Sequence, residues 1–500
     1  KNKLLTSWYL LLIISNIIIL YYTATRGAIL GFIGGVILTC LLLAIFKSGQ
    51  TRKIAGGLVI VALLLIGGFI SIKNTDFIQQ SPVLSRFASI SLTETTVGSR
   101  MMVWRMSWQG FKERPILGWG PENYSLVFSK YYDPKMYGQE PWFDRSHNIF
   151  FDWLINAGLL GLLAYLSVYL ISLYYLWFGW KPKEDKKGER DFATSVVASS
   201  LLTGLLAGYF FHNIFVFDNL ISYILFFSLI AFIHITTTKK EEEKNLAVKK
   251  DYQAKKNNNQ EIALIPTVGA IVVVVVLVWC LYILNYQPYK VSVDLIRAIH
   301  PQTSVADSLT ILKSVFARKT FGSGEAREQL VVKTINTLND ANVSNEAKKV
   351  FVALVAEQIR EHQTHFANDA RSNLLFGSYL TMLGQSDEGL AFLQKALTEA
   401  PKKQQILFEL GNAYVRRQDA NNAIKVTKEA YELEPAYTEA RKMYALICLM
   451  TNQIALANEL LLPIKKEASY YDDERFVDVY TQMGNQIALQ EIIDLREKNK

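Results

Sequence analysis

Two places early in the chain hold residue types that can do chemistry beside apolar sequence. At the first, Gly98-Ser99-Arg100 precedes a stripe of Met101, Trp104, Trp108 and Phe111. The i, i+3, i+7, i+10 spacing predicts one face of a helix, with Ser99 as its N-cap and Pro115 ending it by disfavouring helical geometry at Arg114. Such a helix lies on a membrane surface. Its first N–H groups, with Arg100 beside them, make an anion site, because arginine offers a two-pronged fork to phosphate. Lipid headgroups would satisfy the same arginine, and both readings stay open. At the second place, Ser146-His147-Asn148 stands at the mouth of a long apolar run. A near-neutral imidazole there suits removal of a proton from an attacking hydroxyl, although a histidine at a membrane edge is also ordinary interface chemistry. His212-Asn213, with Asp218 close behind, is a second such pair, suited equally to a site or to capping helix ends.

The composition says what kind of scaffold must hold these residues. Of 500 residues, 50% are hydrophobic and only 20% charged, with a mean hydropathy of +0.15. A soluble domain carries about a quarter charged residues and no apolar runs of membrane length. Here apolar runs fall at roughly 4–23, 27–46, 54–72, 147–179, 192–211, 214–237 and 262–284. Most approach the ~20 residues that cross a bilayer. Run 147–179 exceeds one straight span, and Gly158 with Gly161 divides it, so 147–157 is expected to be a shallow or re-entrant helix. The opening Lys1-Asn2-Lys3 lacks a methionine, and no small-residue cleavage site closes the first run. A true span inside a longer protein is therefore expected, not a signal peptide.

Segments 47–53, 181–190 and 239–256 are rich in Lys and Arg, whereas 212–219 has neither. The positive-inside rule makes the basic segments cytoplasmic, which puts 73–146, 212–219 and residues 285–500 outside. The net charge of +8 is then a topology signal, not a nucleic-acid surface. Cys40, Cys280 and Cys448 are too few and too scattered for a disulfide framework or a thiolate zinc site. Segment 73–146 is the long outer connection, and loops beyond about 15 residues tend to be functional or disordered. Trp104, Trp108, Trp119 and Trp142 argue against disorder, although part of that aromatic content forms an interfacial belt. Within it, Pro115 to Gly120 reads as a tight turn. Its acidic residues Glu94, Glu113, Glu122, Glu140 and Asp144 form no Asp-x-Asp motif. No metal is expected there, and a solvated loop face accounts for them.

The C-terminal part has a period. Gly377, Gly411 and Ala445 are spaced by 34 residues, as are Pro401 and Pro435, Leu380 and Tyr414, and Ala396 and Ala430. This pattern resembles the tetratricopeptide repeat, with units at 370–403, 404–437 and a weaker 438–471; a plain helical bundle is the alternative. Such arrays present a concave surface to a peptide or protein partner.

The outer-loop motifs also resemble a family. Gly98-Ser99-Arg100 with Trp104, then Pro115-x-x-Gly118-x-Gly120, then His147-Asn148 with nine residues before Gly158-x-x-Gly161, are similar to the O-antigen ligase and polymerase superfamily. Thr25-Arg26-Gly27 resembles its other arginine motif, and the likeness covers about 1–240. Leu162 departs from the threonine of the ligase pattern, which weakens the ligase assignment specifically. The resemblance implies a glycosyltransferase on the outer face of the bacterial cytoplasmic membrane, working without a metal or other cofactor. The glycan comes from a polyprenyl pyrophosphate and goes to a glycan, a protein or lipid A–core. It implies Arg100 and Arg26 on the pyrophosphate and His147 as base, with Arg105, Arg145, Trp104 and His212 as candidate substrate-binding residues.

The expected architecture is therefore an all-α polytopic membrane protein carrying an extracytoplasmic α-solenoid. Residues 1–72 supply three spans, 73–146 a catalytic outer loop and 147–238 three more spans. A cytoplasmic basic loop follows at 239–261 and a seventh span at 262–284. Residues 285–369 form a helical linker or degenerate repeats, and 370–500 the tetratricopeptide repeats, which imply a protein partner. The competing reading is a non-catalytic membrane scaffold that only presents the array. A structured loop of this length, rich in Trp and Arg, has no purpose in a mere anchor.

Overall fold

A computed structural model of the chain describes residues 3–89, 95–139, 141–178, 196–236, 264–365 and 368–499. The basic segments at 181–190 and 239–256, and Glu94 and Glu140, lie outside the described residues. Among those described, the secondary structure is helical with no strand. They divide into two compact units, one from 1–128 and 143–257 and the other from 129–142 and 258–500.

In the first unit, α1 (Lys3–Thr23), α2 (Arg26–Phe46), α3 (Gly49–Ile72) and α5 (Ile149–Trp177) are long and apolar enough to cross a membrane. Between them in sequence lies α4 (Thr95–Glu113) of the loop. Helices α6 (Val196–His212) and α7 (Leu220–Thr236) are apolar but shorter. Gly269–Ile299, in the second unit, is the fifth helix of spanning length among the described residues. Leu10, Leu11, Ile18, Leu64 and Leu65 stand exposed, as expected where hydrocarbon is the solvent.

What holds this unit is close backbone approach. Helices α2 and α6 run antiparallel with glycines facing. A Cβ on Gly31 would fall 2.6 Å from Gly208 O, and one on Gly35 2.5 Å from Gly204 O. Thr39 Oγ1, 2.9 Å from Gly35 O, also reaches Ser200 O at 3.3 Å. In lipid no hydrophobic force drives helices together, so such small-residue seams and buried hydroxyls do the work. The seam sets the start of α2 level with the end of α6, which brings Gly27 against His212.

The second unit contains Gly269–Ile299, which passes through a π-helical turn at Tyr282–Tyr286. Pro288 follows it and has no N–H to continue the ladder. Helices Val305–Ala317, Ser323–Asn339 and Asn345–His365 then build a core with Phe376, Tyr379 and Phe392. Beyond them each 34-residue period is a helix pair: α8 (Ala370–Met382) with α9 (Ser386–Glu399), α10 (Gln404–Arg416) with α11 (Ala420–Leu433), and α12 (Thr438–Met450) with α13 (Ile454–Leu461). The periodic small residues are their contacts. A Cβ on Gly377 would lie 2.7 Å from Leu393 Cγ and one on Gly411 2.6 Å from Thr427 Cγ2, while Ala445 is fully buried.

An ion-pair cluster ties α12 to α14 (Glu474–Gln482). Lys442 Nζ lies 2.7 Å from Asp473 Oδ2 and 2.9 Å from Glu439, with side chains of Lys442 and Asp473 only 11% and 9% exposed. Burial pushes the Asp473 carboxyl up, but hydrogen bonds from Arg475 and Lys442 outweigh it and hold it below the usual range. Its stabilisation is therefore present at neutral pH and is lost as pH falls below that range. Asp473→Ala is expected to destabilise the array by about 3 kcal/mol, the low end for breaking a buried pair because Glu439 stays beside Lys442. Hydrogen exchange across α12 and α14 in the full chain measures this, and unchanged protection would contradict it.

Candidate active site around His147

The site begins with a break in α5. Gly158 is non-helical, with φ 64° and ψ −161°, so the residues around it lose their ordinary helical partners. The Pro115–Gly120 turn supplies replacements. Leu159 N donates to Pro115 O at 2.8 Å and Leu160 N to Ile116 O at 3.4 Å, while Trp119 N and Gly120 N donate to Ile155 O and Asn156 O at 2.6 and 3.1 Å. Four backbone bonds thus brace the loop across the broken helix. Gly118 makes the approach feasible, since a Cβ on it would sit 2.7 Å from Gly158 N. Non-helical backbone at membrane depth needs this kind of internal satisfaction. Trp119 Nε1 closes onto Gly110 O at 2.9 Å, and Arg114 stacks over the Trp119 ring at 4.2 Å.

The same helix begins at the histidine. Asn148 is the N-cap, its Oδ1 accepting from Phe150 N and Phe151 N at 2.9 and 3.2 Å. Just before it His147 takes a left-handed φ of 53°, a conformation histidine enters more readily than most residues. Asp152, only 3% exposed, fixes the other flank by accepting from Ser146 N at 2.8 Å and Ser146 Oγ at 2.6 Å. Asp152 also lies within electrostatic range of Arg145 and His147. The half-buried imidazole lies edge-on to Phe143 and beside Phe217, each with ring centroids 5.5 Å away. Backbone, carboxylate and two rings fix where the imidazole sits.

Other predicted residues gather on this frame to different degrees. Trp104 donates Nε1 to Ser146 O at 3.2 Å and stacks on Phe151, so it holds the residue next to His147. Arg145 pairs with Glu122 at 2.7 Å and lies 5.3 Å over Phe217. The two His-Asn pairs meet, because Ile149 N donates to Asn213 O at 3.0 Å. Asn213, 1% exposed, in turn donates to Asp218 and to the Tyr165 hydroxyl, each at 3.1 Å. Tyr209 also hydrogen-bonds Asp218. Arg26 is the first residue of α2 and reaches Ser89 Oγ at 3.2 Å. Beside it, a Cβ on Gly27 would come 3.3 Å from His212 Nδ1, so the glycine makes room for that ring. Arg105 is exposed.

The expected start of α4 needs correction. The helix begins at Thr95, so Ser99 is a buried interior residue instead of an N-cap, and Arg100 lies in the second turn. The helix-terminus part of the anion reading does not hold at Arg100. The register also differs from a simple amphipathic stripe. The buried face is Ser99, Val103, Met106, Ser107 and Gly110, and the expected stripe is its more open side, with Met101 and Trp108 exposed. Arg100 is one turn before Trp104 on the same face.

Asp152 and the glycine seam were not singled out from sequence. Both had signals: Asp152 is the one acidic residue in run 147–179, and Gly27, Gly31 and Gly35 repeat every four. An ionisable residue inside an apolar run is a functional hypothesis by default. Among the described residues no three His, Cys, Asp or Glu side chains come together as a metal site.

These features define a multi-pass membrane protein with a built site at the end of one helix. Residues 9–166 match the model of the O-antigen ligase family, a stretch that takes in most of α1, all of α2 to α4, the loop, His147, Asp152 and Gly158. The match supports a glycan-transferring, ligase- or polymerase-like role in the membrane. No curated protein matches the chain.

Proposed function

We propose that this protein is a membrane glycosyltransferase that moves a glycan from a polyprenyl pyrophosphate to an acceptor hydroxyl on the outer face of the cytoplasmic membrane. What carries the reading is one coincidence: the family match covers the residues that pin His147 in place. In the reaction the sugar–phosphate C–O bond breaks and a new bond forms to the acceptor oxygen. Arg100 and Arg26 stabilise the charge that develops on the departing pyrophosphate. His147 takes the acceptor proton. Trp104, Arg145 and His212 line the approach, and Asp152 holds the histidine loop without touching substrate. The helix pairs of 370–500 are read as tetratricopeptide repeats outside the membrane, binding a protein segment. The donor, acceptor class and residue roles belong to this proposal.

The test uses purified protein with a polyprenyl-pyrophosphate-linked glycan and a panel of glycan, protein and lipid acceptors. Wild type is expected to release polyprenyl pyrophosphate with one acceptor class. Arg100→Ala should slow transfer by roughly 10²–10³-fold, the usual cost of one lost charge-stabilising donor. Folded protein that transfers to no acceptor would replace this reading with the scaffold.

A further inference from the structure

Segment 129–142 of the outer loop belongs to the compact unit formed by the array. Its residues meet one row of array positions. Asp369, Lys403 and Tyr437 are spaced by 34 and each is the N-cap of the first helix of its pair. Asp369 caps as that position demands, accepting from Arg371 N at 3.1 Å. Lys403 and Tyr437 do not cap at all.

Lysine is a poor choice there on three counts. It forgoes the capping bond that Ser, Thr, Asp or Asn would make. It sets a positive charge at the positive end of the helix dipole. It is also 3% exposed, and burial pushes its amine down to about 7. What opposes these costs is the loop segment. The amine lies 4.2 Å from the Tyr132 ring centroid and 4.4 Å from that of Trp142, and it hydrogen-bonds Pro141 O. Beside it Gln404 Nε2 reaches Pro134 O at 3.3 Å. One repeat further on, Tyr437 stacks on Tyr137 with centroids 4.3 Å apart and planes 16° from parallel. Met136 and Tyr132 are buried at 1% and 5% exposure. Positions that break a local rule without local benefit mark function.

We propose that this N-cap row is a receptor for the chain's own segment 129–142, and that its docking positions the loop end carrying Arg145, Ser146 and His147. The free space left beside the segment is 220 Å³, too little for a second peptide in the same place. Trp142 is four residues before Ser146, so a segment held at Pro141 and Trp142 limits the freedom of the histidine loop through the chain itself. Only this last step, positioning for transfer, rests on the proposed function.

Lys403→Asp combined with Tyr437→Ser separates docking from stability, because it restores capping residue types while removing both contacts. In the full chain in lipid nanodiscs, amide exchange across 129–142 is expected to quicken roughly tenfold or more, and that across 143–148 to follow. Helices α10 and α12 should keep their protection. Glycan transfer should fall roughly tenfold, and a cross-link between Tyr137→Cys and Tyr437→Cys, made with Lys403→Asp and without the serine at 437, should restore both exchange and rate. Unchanged exchange across 129–142 overturns the docking. Quickened exchange there with 143–148 unchanged overturns the positioning, and so does an unchanged rate. Both exchange readings stand without any transfer, so a wild type that transfers nothing refutes the proposed reaction and leaves the docking to be judged separately.

Discussion

Gly158→Ala is expected to abolish the native packing of the loop on α5, with a loss of stability of about 4 kcal/mol or more and no measurable glycan transfer. The backbone at φ 64° and ψ −161° lies in a region open essentially to glycine, which alone costs roughly 1–3 kcal/mol for another residue. A methyl at this position also runs into the Ile116 carbonyl. The helix escapes by straightening, so that Leu159 N and Leu160 N turn to their own helix and leave the loop. Pro115 O, Ile116 O, Trp119 N and Gly120 N then lose their partners, at roughly 1–3 kcal/mol for each group that stays buried. Gly57→Ala is the control, since a methyl there meets nothing within 4 Å. Thermal unfolding in detergent compares the two. A Gly158→Ala protein that melts with wild type and transfers normally would show that the brace is dispensable.

How much of this was legible in sequence depends on the range of the interaction. Apolar length marked the helices, because burial in hydrocarbon demands a run of fixed size. The 34-residue period marked the helix pairs, since Gly377 and Gly411 recur where helices touch. His147 and Asn148 were visible as a pair, and Gly158 as a divider of its run. The brace was not, because its four bonds join residues some forty apart through backbone atoms, which carry no side-chain signature. Ser99 misled for a related reason. Serine before an apolar stripe is a sound cap signal, but burying Ser99 and Val103 carries the helix back to Thr95. Lys403 carries no sequence signal of this kind, because Tyr132 and Trp142, whose rings flank its amine, lie in a distant part of the chain.

The second large effect is chemical. His147→Asn is expected to lower kcat for glycan transfer by roughly 10²–10⁴-fold, the range for removing a general base, with little change in the KM of the donor. Asparagine is the better probe than alanine because it tolerates the left-handed backbone that His147 adopts at φ 53°. The loop on either side stays pinned in this variant. Asp152 still accepts from Ser146 N and Oγ, Trp104 still donates to Ser146 O, and Asn148 still caps α5. Loss of rate then reports the imidazole and not a collapsed loop. Asp152→Asn makes the complementary change, since an amide oxygen can keep the bonds to Ser146 while the negative charge near Arg145 and His147 disappears. If the carboxylate acts by electrostatics, that variant slows transfer too; if it acts by position, the rate survives. A His147→Asn enzyme that keeps its rate within about threefold would remove the histidine from proton transfer, because general-base catalysis cannot account for so small a loss. Charge stabilisation by Arg100 and Arg26 would then have to carry the reaction.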